Sequence, residues 1–186
     1  MNTPEKIAQA YLRLNGFFTI THFTTLKERG GHIDLIAVRL GGSSENVGIE
    51  PNQTTLEIDE TLLSKLSVTK DDTIGLIIEV KGGKRKPAKV DDIKFAYAKN
   101  FFGNTNFVKK VGFENIDNLE IIKKSDHVII SLKYCIKFIQ KRFSKLKFIE
   151  QNLRGGGILS KEGSWVLSEE FLSDLIFLEK LDNTNN

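Results

Sequence analysis

The 186-residue chain has one cysteine, three prolines and three histidines, and each shortage excludes a class of protein or site. Cys135 cannot form an intrachain disulfide, and no second thiolate exists to build a cysteine metal site. We therefore expect Cys135 to be a buried apolar residue. The low proline content and 27% charged residues exclude collagen-like and disordered chains.

Long hydrophobic runs are also missing. The most apolar stretch, Ile74 to Val80, is far shorter than the roughly 20 residues of a membrane helix, so we expect no membrane span. The first residues lack the pattern of a secretory signal, which predicts a cytoplasmic protein. Because 40% of the residues are hydrophobic, the chain can bury a core, and we predict a single domain over residues 1–186.

The net charge of +3 is unevenly distributed. The segment from Lys81 to Lys147 has 17 basic and 6 acidic residues, whereas both flanking segments are acidic. A basic middle segment favours a polyanion, and therefore nucleic acid, as the partner.

Hydrophobic periodicity and capping residues predict the elements of the first half. A helix is expected to be capped by Thr3, with Pro4 in its first position, and to end at Asn15 and Gly16. Strands are predicted from Phe17 to Leu26, from His32 to Leu40 and from Ile74 to Lys81. Between the second and third strands, residues 41–73 are expected to form an insertion with one short helix around Leu62, Leu63 and Leu66.

The second half is expected to contain more helix. A helix is predicted from Val90 to Phe102, then a loop and a short strand from Leu119 to Ile122. A long amphipathic helix is predicted from Val128 onward, because apolar residues recur three and four apart. The C-terminal extension, residues 126–182, is expected to continue with a hairpin from Ile158 to Leu167 and a helix from Ser168.

Three charged residues in the apolar strands are candidates for chemistry. Glu79 and Lys81 lie two apart and so point to the same face of their strand, while Asp34 interrupts a neighbouring strand. If the two carboxylates meet, a hard divalent cation, Mg²⁺ or Mn²⁺, is the expected guest, and Lys81 would serve an attacking water or a developing charge. A solvated strand end for Glu79 and Lys81, and a satisfied buried acid for Asp34, are the structural alternatives.

Two further residues near this set have strong structural alternatives. Glu5 is expected in the first turn of a helix, where the helix dipole stabilises an acid without any function. His32 is assigned to the face opposite Asp34, where a structural role is expected rather than contact with a phosphate.

The residues resemble a known family. Glu5, Gly30-Gly31-His32-Ile33-Asp34-Leu35-Ile36-Ala37 and Ile78-Glu79-Val80-Lys81-Gly82 are similar to the motifs of the PD-(D/E)xK nucleases, most nearly the archaeal Holliday-junction resolvases. The resemblance implies a restriction-endonuclease-like α/β core of about residues 1–125, with a central mixed β-sheet flanked by helices. It also implies that Asp34 and Glu79 hold the metal, that Glu5 assists and that Lys81 serves the attacking water. The chain departs from the family in the long gap between the two acids and in lacking a glutamine in the following helix, in which Tyr97 is present without that partner.

These features predict a Mg²⁺-dependent endonuclease that hydrolyses phosphodiester bonds of DNA in repair or recombination. Four basic residues beside the proposed site are expected to bind phosphates: Lys84, Arg85, Lys86 and Lys89. The lysines at 133, 137, 141 and 145 form a second stripe, for which a solvated helix face is the alternative. RNA as substrate, a non-catalytic nucleic-acid-binding or assembly subunit, a protein-interaction module marked by the apolar seam of the long helix, and a homodimer all stay open.

Overall fold

The computed structural model describes residues 2–24, 31–42, 45–47, 54–83, 87–103 and 107–152. The strands are β1 (Phe18–Thr24), β2 (His32–Arg39), β3 (Glu45–Val47), β4 (Thr54–Leu56), β5 (Ile74–Lys81), β6 (Phe107–Glu114), β7 (Ile121–Lys123) and β8 (His127–Ser131). The helices are α1 (Thr3–Arg13), α2 (Glu60–Leu66), α3 (Asp92–Lys99) and α4 (Leu132–Asn152), and a 3₁₀ helix, Asn100–Phe102, continues α3. Among the described residues, no helix combines the length and the apolar character needed to cross a bilayer.

Six of the strands form a mixed sheet in the order β1-β2-β5-β6-β8-β7. The strands β1, β2 and β5 are antiparallel neighbours, β5 is parallel to β6, β6 is parallel to β8, and β7 is antiparallel to β8. Strands β3 and β4 pair with each other in a separate two-stranded sheet. The predicted mixed sheet is thus confirmed.

Helices flank both faces of the six-stranded sheet. A side chain at Gly75 of β5 would collide with the ring of Phe102, so the 3₁₀ helix lies over that face. Tyr11 of α1 packs edge-on against Phe113, their ring centroids 6.2 Å apart, and Phe113 is the register partner of Val80. Because residues 75 and 80 point to opposite faces of β5, α1 and the 3₁₀ helix lie on opposite sides of the sheet.

Most predicted elements of the first half are confirmed, since β1, β2, β5 and α2 lie where the periodicity predicts them. The prediction that Thr3 caps α1 was wrong. Asn2 is the cap, and its side chain accepts a hydrogen bond from the amide of Glu5 while the Glu5 carboxylate accepts one from the amide of Asn2. Strands β3 and β4 inside the insertion were not predicted.

Two strands of the second half were missed. Residues 107–114 were predicted as loop, but they form the central strand β6, in which Lys110 is buried and is accommodated by an ion pair with Asp92 and by the ring of Phe95. Residues 128–131 were predicted as the start of a long helix, but they belong to β8, and the helix begins at Leu132. The predicted hairpin and last helix lie outside the described residues.

The chain divides into two compact units. Met1–Glu45 and Glu57–Ile136 form the first, which contains the six-stranded sheet, α1, α2 and α3. Asn46–Leu56 and Lys137–Asn186 belong to the second. All the described candidate site residues lie in the first unit, while the prediction of a single domain over the whole chain stays a prediction.

A buried carboxylate, Asp59, connects α1, α2 and the first turn of α4 within the first unit. Its Oδ1 accepts the amides of Thr61 and Leu62 as the cap of α2, and its Oδ2 accepts the hydroxyls of Tyr11, at 2.6 Å, and Tyr134, at 2.9 Å. Burial and the hydrogen bond to Asp59 raise the pKa of Tyr134 to about 12, so this phenol remains a hydrogen-bond donor at neutral pH. Asp59 therefore fixes α1, α2 and the first turn of α4 at one point.

We expect Asp59→Ala to lower the free energy of unfolding by about 2–5 kcal/mol, because a helix cap is lost and two tyrosine hydroxyls lose their acceptor. Asp91→Ala is the matched control, since Asp91 caps α3 by accepting only the amide of Lys94 and is exposed. It should lose about 0.5–2 kcal/mol. Urea denaturation measures both changes, and equal losses would contradict a contribution from the tyrosines.

Candidate functional site

The ladder between β2 and β5 opens at one end of the sheet, and Asp34 lies at the opening. The last register pair is Leu35 with Ile78. One residue further, the Asp34 carboxylate replaces the backbone partner, and its Oδ2 accepts the amide of Val80 at 2.7 Å. Asp34 is 4% exposed, so this hydrogen bond satisfies part of a buried charge.

Lys81 joins the two predicted carboxylates. Its ammonium donates to Oε1 of Glu79 at 2.6 Å and lies 3.9 Å from Oδ2 of Asp34. Glu79 is 9% exposed. The structure therefore brings Asp34, Glu79 and Lys81 together from adjacent strands, as the alternation of side chains predicted for the last two.

The charge of Lys81 is set by opposing influences. Burial lowers the pKa of its ammonium and is the largest single influence. The hydrogen bond to Glu79 and the charges of Glu79, Asp34 and Glu5 together outweigh burial, so the pKa is raised. Lys81 is consequently a cation between two acids rather than a free amine.

A second cation, Lys94, reaches the site and was not predicted. It lies in α3, and its Nζ is 3.7 Å from Oε2 of Glu79. That distance is too long for a hydrogen bond, and Oε2 is a buried atom without a hydrogen-bond partner in the described part of the chain. No spacing rule connects residues 79 and 94, because only the return of α3 over the end of β5 brings them together.

Glu5 has a structural role at the edge of this site. Its carboxylate accepts the amide of Asn2 at 3.1 Å and the Asn2 side-chain amide at 2.8 Å, which completes the capping box of α1. It is also close enough to Lys81 to contribute to that residue's raised pKa. Capping accounts for the burial of Glu5 without a catalytic role. Its electrostatic effect on Lys81 is the one described link between Glu5 and the set of Asp34, Glu79 and Lys81.

Two histidines border the acids. The ring of His32 lies with Nε2 at 3.3 Å from Oδ1 of Asp34, so its assignment to the opposite face was wrong, as residues two apart in a strand share a face. His22 has its Nε2 at 3.8 Å from Oε2 of Glu5. Both imidazoles are at least half exposed, which leaves them accessible to a ligand at the opening.

His22 also interrupts the regular course of β1. Its φ of 53° lies in the left-handed region, and it is the residue of β1 that has no register partner, opposite Asp34. On one side of it, Thr19 hydrogen-bonds to Gln9 of α1, and on the other, Phe23 packs against Phe101 of the 3₁₀ helix. Since these helices lie on opposite faces, the side chains of β1 change faces at His22. Strained backbone of this kind is concentrated at functional sites.

The predicted phosphate-binding residues are only partly described. Lys84, Arg85 and Lys86 lie outside the described residues. Lys89 is exposed and lies shortly before the start of α3 at Asp92. Its role in binding phosphate stays a prediction.

The chain was compared with models of known protein families, with curated proteins and with solved structures, and none of them matches it. The geometry of Asp34, Glu79, Lys81 and Lys94 is therefore the basis for assigning a function.

We expect His22→Gly to retain or slightly raise the free energy of unfolding, because glycine removes the cost of about 1–2 kcal/mol that a left-handed L-residue carries. The control is Thr21→Gly in the same strand, where φ is not positive. That variant should lose roughly 0.5–1 kcal/mol, the usual cost of glycine within a strand. Urea denaturation compares the two, and an equal loss in both would contradict the left-handed backbone.

Proposed function

We propose that this chain is a metal-dependent phosphodiesterase that cleaves nucleic acid, with DNA as the first candidate substrate. Asp34, Glu79 and Lys81 form its active site. The observation that carries the proposal is the convergence of two buried carboxylates on one ammonium where β2 and β5 separate. The mixed sheet flanked by helices agrees with the restriction-endonuclease-like architecture that the sequence motifs imply, and the exposed Lys89 fits a polyanionic substrate.

The residues present fit Mg²⁺ or Mn²⁺. Among the described residues there is no cluster of three or more histidine, cysteine, aspartate or glutamate side chains able to hold a metal. Mg²⁺ does not require one, because it is usually bound by one or two carboxylates together with waters and substrate phosphates. Asp34 and Glu79 would hold the ion, and the buried Oε2 of Glu79 has a lone pair that no described hydrogen bond uses. When bound, such an ion polarises the phosphodiester and lowers the pKa of a water.

Lys81 donates a hydrogen bond to Glu79 and lies beside Asp34. In its charged form this ammonium would orient a water or stabilise the negative charge that develops on phosphate oxygens. Lys94 adds a second positive charge on the α3 side of Glu79. Together they offset part of the repulsion between the acids and an incoming phosphate.

We expect Mn²⁺ to bind the purified protein and Asp34→Asn to weaken that binding by at least about tenfold, because one of two charged ligands is lost. Asp92→Asn is the matched control, since Asp92 is an exposed acid that pairs with Lys110 outside the site. Its binding of Mn²⁺ should equal that of the parent. Calorimetric titration distinguishes these outcomes, and equal affinity in all three proteins would remove Asp34 from the metal site.

We expect Lys81→Met to lower the cleavage rate by about 10²- to 10⁴-fold at saturating Mg²⁺ while substrate affinity is retained. Mn²⁺ affinity should stay equal or rise, because the ammonium that contacts both carboxylates is removed. Lys123→Met is the control. Lys123 is an exposed residue of β7, at the far edge of the sheet, and it hydrogen-bonds to Ser67.

Single-turnover cleavage of labelled DNA and RNA measures these rates, and circular dichroism verifies that the variants are folded. If Lys81→Met cleaves as fast as Lys123→Met, the activity does not come from this site. If the parent binds nucleic acid but cleaves none with either metal ion, the chain is a binding subunit rather than a nuclease.

A further inference from the structure

Three aromatic side chains form a cluster beside the candidate site. Phe101 of the 3₁₀ helix packs against Phe23 of β1 with ring centroids 4.8 Å apart, and against Tyr97 of α3 at 5.8 Å. The Phe101 and Phe23 rings are nearly perpendicular, at 79°. We refer to Phe23, Tyr97 and Phe101 as the aromatic cluster.

The cluster is held in place from beneath while Phe101 remains accessible. Phe102 packs over Gly75 in the sheet, which anchors the 3₁₀ helix. Phe101, its neighbour, is 62% exposed. Its exposure shows that the two ring contacts, with Phe23 and Tyr97, leave part of the Phe101 ring accessible to a ligand.

The cluster is continuous with the site along one face of α3. Lys94, Tyr97 and Phe101 are spaced by three and four residues, so they line up along the helix and its 3₁₀ continuation. Lys94 is the residue that approaches Glu79. Seven residues of helix extend about 10 Å, the length of roughly three stacked nucleotides.

We propose that the aromatic cluster, with Phe101 as its exposed member, stacks an unpaired base of a nucleic acid whose phosphodiester lies at Asp34, Glu79 and Lys81. This inference rests on the proposed function and specifies its substrate class, namely strands with unpaired bases close to the cleaved bond. Bases in a duplex stack on one another and leave no face for an aromatic side chain, whereas an unpaired base has one.

Charge and position favour a nucleic-acid strand over a protein as the occupant. A strand needs cations for its phosphates beside rings for its bases. Lys94, on the same helix stripe, and the exposed Lys89 and Lys99 at either end of α3 supply such cations. Within the described residues, the helix face that carries Lys94 and Phe101 combines an exposed aromatic ring with a lysine that approaches Glu79.

The test compares the binding of two labelled strands of equal length, one a single-stranded oligonucleotide and the other an abasic strand, by fluorescence anisotropy without divalent metal. Phe101→Ala should weaken binding of the base-containing strand by roughly 5- to 100-fold and leave binding of the abasic strand unchanged. The dependence of its affinity on salt should keep the parental slope, because no ionic contact is removed.

Two further variants make the test specific. Phe101→Trp, which keeps a stacking surface, should bind as the parent does, and so should Phe18→Ala, which removes a phenylalanine of similar exposure, 60%, from the other end of β1. Parental binding by Phe101→Ala, or equal loss for both strands, overturns the stacking role while leaving the nuclease proposal intact. If neither strand binds the parent protein, the stacking proposal fails, and the cleavage assay of the parent protein decides the nuclease proposal by itself. A change of mass in solution on Phe101→Ala would instead identify a protein interface and also overturn the proposal.

Discussion

The hydrogen bond from the amide of Val80 to the carboxylate of Asp34 lies where the ladder between β2 and β5 stops. By accepting this amide, a side chain takes the place of the backbone carbonyl that a continued ladder would supply. The strands can then separate without leaving a buried amide unsatisfied. Around this point His32 contacts Asp34, and both Lys81 and Lys94 approach Glu79. One hydrogen bond to a side chain thus lets the ladder end beside the candidate site.

The separation concentrates negative charge in a place of low solvent exposure. Two buried carboxylates repel each other more strongly there than they would in water, and each loses hydration. Lys81, by contacting both, offsets this cost in the absence of a metal ion. The same lysine is therefore part of the stability of the site and part of its proposed chemistry, which is the usual compromise between stability and function at such sites.

The sequence predicts those parts of the fold and of the candidate site that depend on residues close together in the chain. Strand β5 was predicted with its observed bounds because its apolar run is long and ends at Gly82, and the shared face of Glu79 and Lys81 follows from alternation alone. Strand β6 was missed because Lys109, Lys110 and Gly112 interrupt its apolar pattern, and the compensation for Lys110 by Asp92 exists only in three dimensions. Strand β8 was merged with α4 because its β-branched residues also fit helical spacing.

The features of the site that escaped prediction are the non-local ones. Lys94 meets Glu79 because a helix folds back over the sheet, and nothing in a single sequence specifies that return. The positive φ of His22 is equally hidden, because a histidine in an apolar and threonine-rich run has the composition of an ordinary strand. The roles of the predicted residues remain predictions, whereas the convergence of the two acids on Lys81 is a property of the fold.

Gly75 has a consequence that reaches beyond the sheet. A glycine within a strand is ordinarily a weakness, because it contributes no side chain to the core and costs more conformational entropy than other residues. Here the ring of Phe102 occupies the volume that a side chain would need. A methyl group at position 75 would lie too close to the nearest atom of the Phe102 ring, so that ring would have to shift. The missing side chain of one strand residue is therefore what allows the 3₁₀ helix that carries Phe101 to pack directly on the sheet.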